Sequence, residues 1–336
     1  MYEFIAIEYE NIDKEEYYSI KTRSVFTTFE WINFIKEDKK ANPIFVRILK
    51  NGKFEGYFSG LLFKICGIKI IGSPFRGWST CYMGLDVYDI NEKLAILNEL
   101  KSFLIQKFKC MFIEIADKDI SVDTAKSFGF HTDTLSTLEL NISEKTDEEL
   151  FKVFKTDCRN FIRQFERRGA IFEVAEPNEE FAEQYYEQLI DVFAKQGLVP
   201  TYSLKKVKCL LKNMGTTSNV LCLRVRDPEG KPIASSIFFG LNETFYFWGG
   251  ASLRPYQHYR PNEYMLWQAI RHWRDRGIKT FDMVGVRDYK RKFGSVEVNY
   301  ARISFSRFKI LITLRDLCEK MYFHMISIKG TLKGRT

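Results

Sequence analysis

The sequence predicts an α/β protein, of the α+β kind, that contains two copies of one unit in tandem. Each half of the chain has a β meander, a helix and a buried strand, and "LKSFLIQKFKCMFIEIA" and "LWQAIRHWRDRGIKTFDMVGV" occupy matching places. This repeated order indicates two mixed, mostly antiparallel sheets flanked by helices. With 336 residues, 45% of them hydrophobic, the chain can bury two cores. We place the first domain at residues 1–144 and the second at 145–336.

The first half has clear local signals for a hairpin, a helix and a strand. Asn51 and Gly52 lie between two apolar runs, which predicts a type I′ hairpin turn. Residues 91–108 place leucine and phenylalanine side chains on one helical face. The run "CMFIEIA" comes next and predicts a buried strand.

The second half begins at Thr146, which is followed by acidic residues and therefore predicts a helix N-terminus. That helix is predicted to end at Gly169. Three antiparallel strands joined at "DPEGK" and "LNET" come later. Pro261 then starts a helix at its favoured first position, and "IKTFDMVGV" is a buried strand. A closing helix is predicted at 310–333.

The net charge of +8 favours anionic partners, such as phosphorylated small molecules, RNA or a membrane surface. The seven cysteines form no CxxC pair, so we expect free thiols in a reducing compartment. The N-terminus is acidic and does not resemble a secretory signal. No uncharged apolar stretch reaches the roughly 18 residues of a membrane span. We therefore expect a cytoplasmic protein.

Several common catalytic motifs are missing from the sequence. The four histidines are scattered and form no zinc-binding pattern, so we expect no metal. There is no GxSxG motif of a serine hydrolase, and neither GxxxxGK nor GxGxxG for phosphate groups. We assign Cys158 to packing rather than to nucleophilic chemistry. The two glycines of "FWGGAS" indicate a β-bulge or a close backbone approach.

A basic stripe lies on the predicted helix at the start of the second half. Lys155, Arg159 and Arg163 are spaced i, i+4 and i+8, so they share one face. Such a stripe is either a solvated helix face or a phosphate-binding surface. The lack of acids interleaved with these cations is more typical of phosphate binding.

A second basic cluster follows the buried strand "TFDMVGV", in the loop 285–294. Gly285 permits a close backbone approach, and Arg287 and Lys290 bring cations to the same place. Ligands of open α/β sheets bind beyond the carboxyl ends of the strands. The loop is therefore either an anion-handling site or a charged hairpin tip, and its position favours the site.

The elements around this loop form a recognisable series: a Pro-started helix with a Leu-Trp centre, a glycine, a strand of the form fDxxG, and an aromatic-Lys-x-x-Phe-Gly signature. The residues in question are Pro261, Leu266, Trp267, Gly277, Phe281, Asp282, Gly285, Tyr289, Lys290, Phe293 and Gly294. This series resembles the GNAT acyltransferase superfamily. Within it, the sequence is similar to the FemAB-like branch of peptidoglycan bridge aminoacyltransferases and CelD-like acetyltransferases. "KTDCRNFIRQFERRG" and "FTTFEWINFI" resemble two further helices of that branch.

The resemblance implies two tandem GNAT-like domains and an acyltransferase activity. Members of the branch move an amino acid from charged tRNA to a peptidoglycan precursor, or are assigned as acyl-CoA-dependent acetyltransferases near polysaccharide biosynthesis. The donor is therefore acyl-CoA or aminoacyl-tRNA. Coenzyme A-using members cradle the pyrophosphate with a glycine-containing loop at a helix N-terminus, whereas "LRPYQHYRPNEY" here contains no glycine. We assign donor binding to Arg260, Asn262 and Glu263.

By the same resemblance, Lys290 is expected near the reacting carbonyl or the donor phosphate. Asp282 is the candidate proton acceptor, with Glu263 as the alternative. Substrate binding is assigned to Lys155, Arg159, Arg163, Tyr289 and Arg287.

The predicted function is N-acyl transfer to an amine of a cell-envelope or polysaccharide precursor. The acceptor is expected to be a small or lipid-linked molecule with phosphate, and tRNA is a further candidate partner. The alternative is a non-catalytic module that binds RNA or a nucleotide-sugar through a basic cleft. The amphipathic segment 310–336 either packs on the second domain or makes a peripheral membrane contact.

Overall fold

The computed structural model describes residues 1–194, 197–308, 310–313 and 315–317. The chain forms two compact units, one of residues 1–135 together with the chain from Asn299 onward, the other of residues 136–298. Both units contain a mostly antiparallel sheet flanked by helices, which confirms the predicted fold class.

The first unit is a meander followed by a helix and a parallel strand. Its elements are β1 (Tyr2–Ile7), α1 (Lys14–Tyr18), α2 (Phe29–Lys39), β2 (Asn42–Lys50), β3 (Lys53–Ile65), β4 (Ile68–Ser73), β5 (Leu85–Val87), α3 (Lys93–Phe108), β6 (Phe112–Asp117) and α4 (Val122–Ser127). Strands β1 to β4 pair in antiparallel order, β4 pairs in parallel with β6, and β5 pairs with β3. Asn51 and Gly52 both have positive φ, 51° and 74°, as the predicted type I′ turn requires. The leucines of α3 are buried in the core of this unit.

The second unit repeats this order. Its elements are β7 (His131–Asn141), which begins before the unit boundary, α5 (Asp147–Val153), α6 (Thr156–Arg167), β8 (Ile171–Ala175), α7 (Glu179–Ala194), α8 (Leu204–Met214), β9 (Val220–Arg226), β10 (Pro232–Leu241), β11 (Thr244–Ser252), α9 (Pro261–Arg274), β12 (Thr280–Asp282) and α10 (Asp288–Arg291). The strand order is β7-β12-β11-β10-β9-β8, and β11 and β12 are parallel neighbours. Helices α5, α6 and α9 pack into one hydrophobic core, and α7 contacts β10 and β11.

The helix predicted from Thr146 to Gly169 is two helices. Thr146 begins α5 with the expected capping box. Phe154 then adopts an extended conformation, with φ −72° and ψ 143°, and Lys155 is the N-cap of α6. The break lets the backbone N–H of Lys155 donate to the carbonyl of Lys292 at 2.8 Å. It also turns the buried Phe154 ring onto Phe293, with centroids 5.2 Å apart.

The last strand, β13 (Val296–Ser306), belongs largely to the first unit. It pairs with β6 in antiparallel register, from Ala301 opposite Asp117 to Ser306 opposite Phe112. Its alternate side chains at 301, 303 and 305 are buried in the first core. The compact units therefore differ from the predicted division at 144/145, which assigned this strand to the second domain.

The predicted closing helix at 310–333 is helical at residues 310–313 and 315–317, and the rest of that prediction lies outside the described residues. Among the helices that the structure describes, none combines the length and the apolar character needed to cross a membrane.

Candidate active site

Strands β11 and β12 separate soon after they meet. They pair in parallel over only three residues of each strand, ending with Tyr246 opposite Asp282. Beyond this point β11 continues to Ser252, and within the described residues it has no strand neighbour on its β12 side. The separation lies at the carboxyl ends of two parallel strands, where ligands of such sheets bind.

A β-bulge lies in the separated part of β11. Phe238 of β10 is opposite Phe247, whereas Ile237 is opposite Gly249, so Trp248 is the extra residue. A Cβ atom at Gly249 would lie 2.3 Å from the hydroxyl of the fully buried Tyr185, so only glycine fits here. The bulge and the close backbone approach confirm the prediction for "FWGGAS".

A cavity of about 240 Å³ opens beside the separated part of β11. Its described lining comes from α7, β10, β11, α9, α10 and the segment before α9: Val192, Ser236, Phe247, Gly250, Ala251, Ser252, Gln257, Asn262, Leu266 and Tyr289. Two of the sequence-predicted site residues, Asn262 and Tyr289, are thus brought together. Asn262 follows Pro261 in the first turn of α9, and its side-chain amide donates to the hydroxyl of Ser252 at 3.0 Å.

Lys290 lies behind this cavity and not in its lining. The residue is 5% exposed, and its Nζ donates to the carbonyls of Met283 at 2.6 Å, Val284 at 2.7 Å and Gly285 at 3.3 Å. Val284 and Gly285 both have positive φ, 55° and 77°, and this conformation is strained for a β-branched residue such as Val284. The ammonium group therefore stabilises an unusual turn at the end of β12.

Asp282 holds the same turn from its other side. Its buried carboxylate accepts a hydrogen bond from the hydroxyl of Thr137 at 2.5 Å and one from the backbone N–H of Val284 at 2.8 Å. The backbone N–H of Gly285 in turn donates to the hydroxyl of Thr137 at 3.2 Å. A direct catalytic role for Lys290 and Asp282 stays a prediction, and these contacts favour a positioning role for both.

The other predicted donor-binding residues lie at the junction of α6 and α9. Glu263 forms an ion pair with Lys292, and both side chains are mostly buried. Arg260, in the left-handed conformation at φ 60°, precedes α9, and its guanidinium carbon lies 4.0 Å from the ring centroid of Phe161. Lys292 Nζ lies 5.2 Å from the same ring. Donor binding by Arg260 and Glu263 stays a prediction.

The basic stripe of α6 is not brought to the cavity. Arg159 donates to the carbonyl of Phe151 at 3.2 Å and to the hydroxyl of Thr156 at 3.0 Å. Arg159 and Arg163 line a separate groove between α5, α6 and α9, of about 640 Å³. Lys155 is exposed at the N-cap of α6, and Arg287 is exposed at the start of α10. Substrate binding by these four residues stays a prediction.

The remaining candidates for chemistry play structural or surface roles. Burial raises the pKa of the Cys158 thiol to about 12, so it stays protonated and packs in the core, in agreement with its assignment to packing. His258 is exposed and its Nδ1 lies 2.9 Å from the carbonyl of Pro255. In the part of the chain that the structure describes, no group of three or more His, Cys, Asp or Glu side chains could hold a metal ion.

Sequence reasoning missed the small neutral residues of the cavity. Ser236 and Ser252 are buried at 2% and 3% exposure, yet they belong to no motif. The one signal for this region was the glycine pair of "FWGGAS", which lies between Ser236 and Ser252 in the sequence.

Comparison with known proteins gives a family match for part of this chain and a fold match for most of it. Residues 152–291 match the sequence model of a family described as "Acetyltransferase (GNAT) domain". The fold is similar to that of the crystal structure of FemX, with a TM-score of 0.75 and 14% identity, over 92% of this chain and 99% of that chain. A conserved protein of unknown function from Bacteroides thetaiotaomicron has a TM-score of 0.57 and 12% identity, over 91% of this chain and 100% of that chain.

A tandem GNAT protein from the clavulanic acid biosynthesis pathway has a TM-score of 0.51 and 8% identity, over 91% of this chain and 98% of that chain. A search among curated proteins found no match. The cavity lies in the unit that contains residues 152–291, the part of this chain that matches the acetyltransferase (GNAT) domain. The fold of the chain is similar to the folds of FemX and of the tandem GNAT protein.

Proposed function

We propose that the cavity beside β11 is the site of N-acyl transfer from an activated ester or thioester to an amine. The observation that supports this most is the separation of β11 from β12 beside the cavity. An extended donor can pair with such a strand edge, and a backbone N–H can stabilise the negative charge on the carbonyl oxygen. The amine nitrogen forms the new C–N bond, the C–S or C–O bond breaks, and the leaving group takes up the proton that the amine loses.

Tyr289 is the residue that we propose as the proton donor to the leaving group, and its phenolate then takes up the proton that the amine loses. It lines the cavity with 46% of its surface exposed, and partial desolvation of its phenol raises the pKa of Tyr289 to about 12, with the Arg287 guanidinium opposing that shift. The phenol keeps its proton at neutral pH, as an ordinary tyrosine does, and the raised pKa extends this to about pH 10 and above, so Tyr289 can donate the proton. We propose a supporting role for Lys290, Asp282 and Thr137, because their hydrogen bonds hold the turn that precedes α10 and Tyr289.

Replacing Tyr289 with phenylalanine is expected to lower the transfer rate by about a hundredfold, the usual contribution of a general acid. The wild-type rate should not fall up to about pH 10, where an ordinary tyrosine ionises. The measurement is thiol release from an acyl thioester in the presence of an amine, followed over this pH range. An unchanged rate in Tyr289→Phe would remove the tyrosine from the mechanism.

The acceptor that we propose is an amine of a cell-envelope or polysaccharide precursor, either small or lipid-linked. The net charge of +8 supports an acceptor that bears phosphate, and the FemX-like fold supports a cell-envelope substrate by analogy. Both acyl-CoA and aminoacyl-tRNA contain a carbonyl that is activated for this reaction. Cytoplasmic location and a peripheral membrane contact through residues 310–336 belong to the same proposal, and most of that segment lies outside the described residues.

The experiment that tests the function is a screen of acyl donors against amine acceptors, with mass spectrometry to detect the acylated amine. We expect one donor class to give an N-acylated product with the loss of one leaving group per product. Hydrolysis of the donor without an acylated amine would contradict the proposal.

A further inference from the structure

We propose that β8 is a self-association site, at which two copies of this chain join their second units through an antiparallel pair of β8 strands. The inference goes beyond the proposed function and does not depend on it. It rests on three observations: β8 lies at the edge of its sheet, two of its apolar side chains are exposed, and its two ends carry charges of opposite sign.

The strand order of the second unit ends at β8. Over all five of its residues β8 pairs with β9, from Ile171 opposite Arg226 to Ala175 opposite Cys222. Among the strands that the structure describes, β9 is the one paired neighbour of β8. A strand at the edge of a sheet can add a strand of another chain through its backbone N–H and C=O groups. The position of β8 in the sheet therefore suits this kind of association.

Both faces of β8 carry an exposed apolar side chain. Val174 is 62% exposed and Ile171 is 49% exposed. Because side chains alternate along a strand, these two side chains lie on opposite faces of the sheet. Phe172, between them, packs against the ring of Tyr264 with centroids 5.5 Å apart, so β8 is held to the core of its unit. A partner strand would cover apolar surface on each face.

The sequence of β8 contains few of the features that protect edge strands from association. Lysine and proline are common protective residues, and "IFEVA" contains neither. Its one charged residue is Glu173, whose carboxylate accepts hydrogen bonds from Arg224 and, at 3.0 Å, from Arg226 of β9. Since this charge is already neutralised within the unit, pairing with a second strand would not bury an unpaired carboxylate.

The charges at the two ends of β8 identify the partner. The exposed Arg167 and Arg168 precede the strand, whereas the exposed Glu176 follows it, with Glu179 and Glu180 in the first turn of α7. Antiparallel pairing about a two-fold axis brings the basic end of each copy to the acidic end of the other. Parallel pairing would bring like charges together. The partner that fits this strand is therefore a second copy of the chain.

Replacing Val174 with lysine tests the surface. Sedimentation velocity of the full chain at micromolar concentration is expected to show a wild-type dimer, with twice the mass of one chain. Val174→Lys places a charge from each copy in the interface, and we expect it to raise the dissociation constant at least about tenfold. Circular dichroism checks that the variant is folded. A monomeric wild type, or a variant that dimerises as tightly as the wild type, would overturn the inference.

Ile5→Lys is the matched control. Ile5 is 43% exposed in β1, which ends the strand order of the first unit. This strand contains Glu3 and is followed by Glu8 and Glu10, so two copies of β1 would bring acids together. We therefore expect Ile5→Lys to keep the wild-type dissociation constant. A loss of the dimer in this control, equal to the loss in Val174→Lys, would overturn the assignment to β8.

A charge exchange tests the antiparallel arrangement. Arg168→Glu and Glu176→Arg each place like charges near one another twice in the dimer, and we expect each to raise the dissociation constant about tenfold. The double variant exchanges the two charges between the ends of β8, and it should return the dissociation constant to near the wild-type value. Single variants without effect, or a double variant that dimerises no better than the single variants, would overturn the inference.

Discussion

Replacing Lys290 with methionine is expected to lower the free energy of unfolding by about 3 kcal/mol and the transfer rate by about a hundredfold. The substitution leaves the carbonyls of Met283 and Val284 without the ammonium group that they now bond. Hydrogen bonds to charged groups contribute roughly 1.5–3 kcal/mol each and do not add fully. The turn that precedes Tyr289 would then relax, and small displacements of a reacting group can reduce a rate by about 10²-fold. Urea unfolding and the thiol-release assay measure the two effects.

The combination of the two effects distinguishes a positioning residue from one that contacts the reacting carbonyl. A lysine that acts only on the substrate would lose transfer while the unfolding free energy stays at the wild-type value. Arg291→Met is the matched control, because Arg291 belongs to the same loop, is partly exposed and pairs with Glu297. Such a surface pair contributes about 0–1 kcal/mol, so both stability and transfer should stay near the wild-type level in this control.

Replacing Gly249 with alanine is expected to destabilise the second unit by about 1–3 kcal/mol, the usual cost of overpacking, and to reduce transfer. The new methyl group would lie 2.3 Å from the Tyr185 hydroxyl, and Tyr185 cannot move easily because it is fully buried and its hydroxyl lies 2.6 Å from that of Tyr202. Since Gly249 follows the bulge in β11, the displacement would reach the backbone beside the cavity. Thermal unfolding and the transfer rate are the measurements.

A second substitution tests whether this contact is the cause. Tyr185→Phe removes the clashing oxygen, and the next atoms are then the Tyr202 hydroxyl at 3.3 Å and the Tyr185 ring carbon at 3.4 Å. In the double-mutant cycle, Gly249→Ala should therefore cost at least about 1 kcal/mol less in the Tyr185→Phe background. If the cost of the alanine is the same in both backgrounds, the steric explanation is wrong.

The elements around the site were predictable because each has a local signal. Pro261 marks the start of α9, and the glycines of "FWGGAS" mark the bulge in β11. The direction of the Lys290 side chain was not predictable. It depends on the left-handed conformation of Val284. A valine rarely adopts this conformation, so the residue type at position 284 does not predict it.

Two further differences between the sequence prediction and the structure also arise from contacts that a local sequence pattern does not contain. The break between α5 and α6 occurs at Phe154 and Lys155, where neither proline nor glycine interrupts the helical pattern. The break is stabilised by contacts with residues 292–293, which lie more than 130 positions later in the chain. Such distant contacts cannot be inferred from the local helical pattern. The cavity wall was missed because serine and alanine side chains give no chemical signature until the strands bring them together.

The path of β13 has a consequence for the order in which this protein can fold during synthesis. Every residue of the second unit lies in one continuous segment, 136–298, whereas the first unit needs a strand that ends at Ser306. Chains usually complete their N-terminal domain first as they leave the ribosome. Here the later-made unit can close while β6 still awaits its antiparallel neighbour β13. Until then the first unit presents an unpaired strand edge, the kind of surface that promotes aggregation and that chaperones protect.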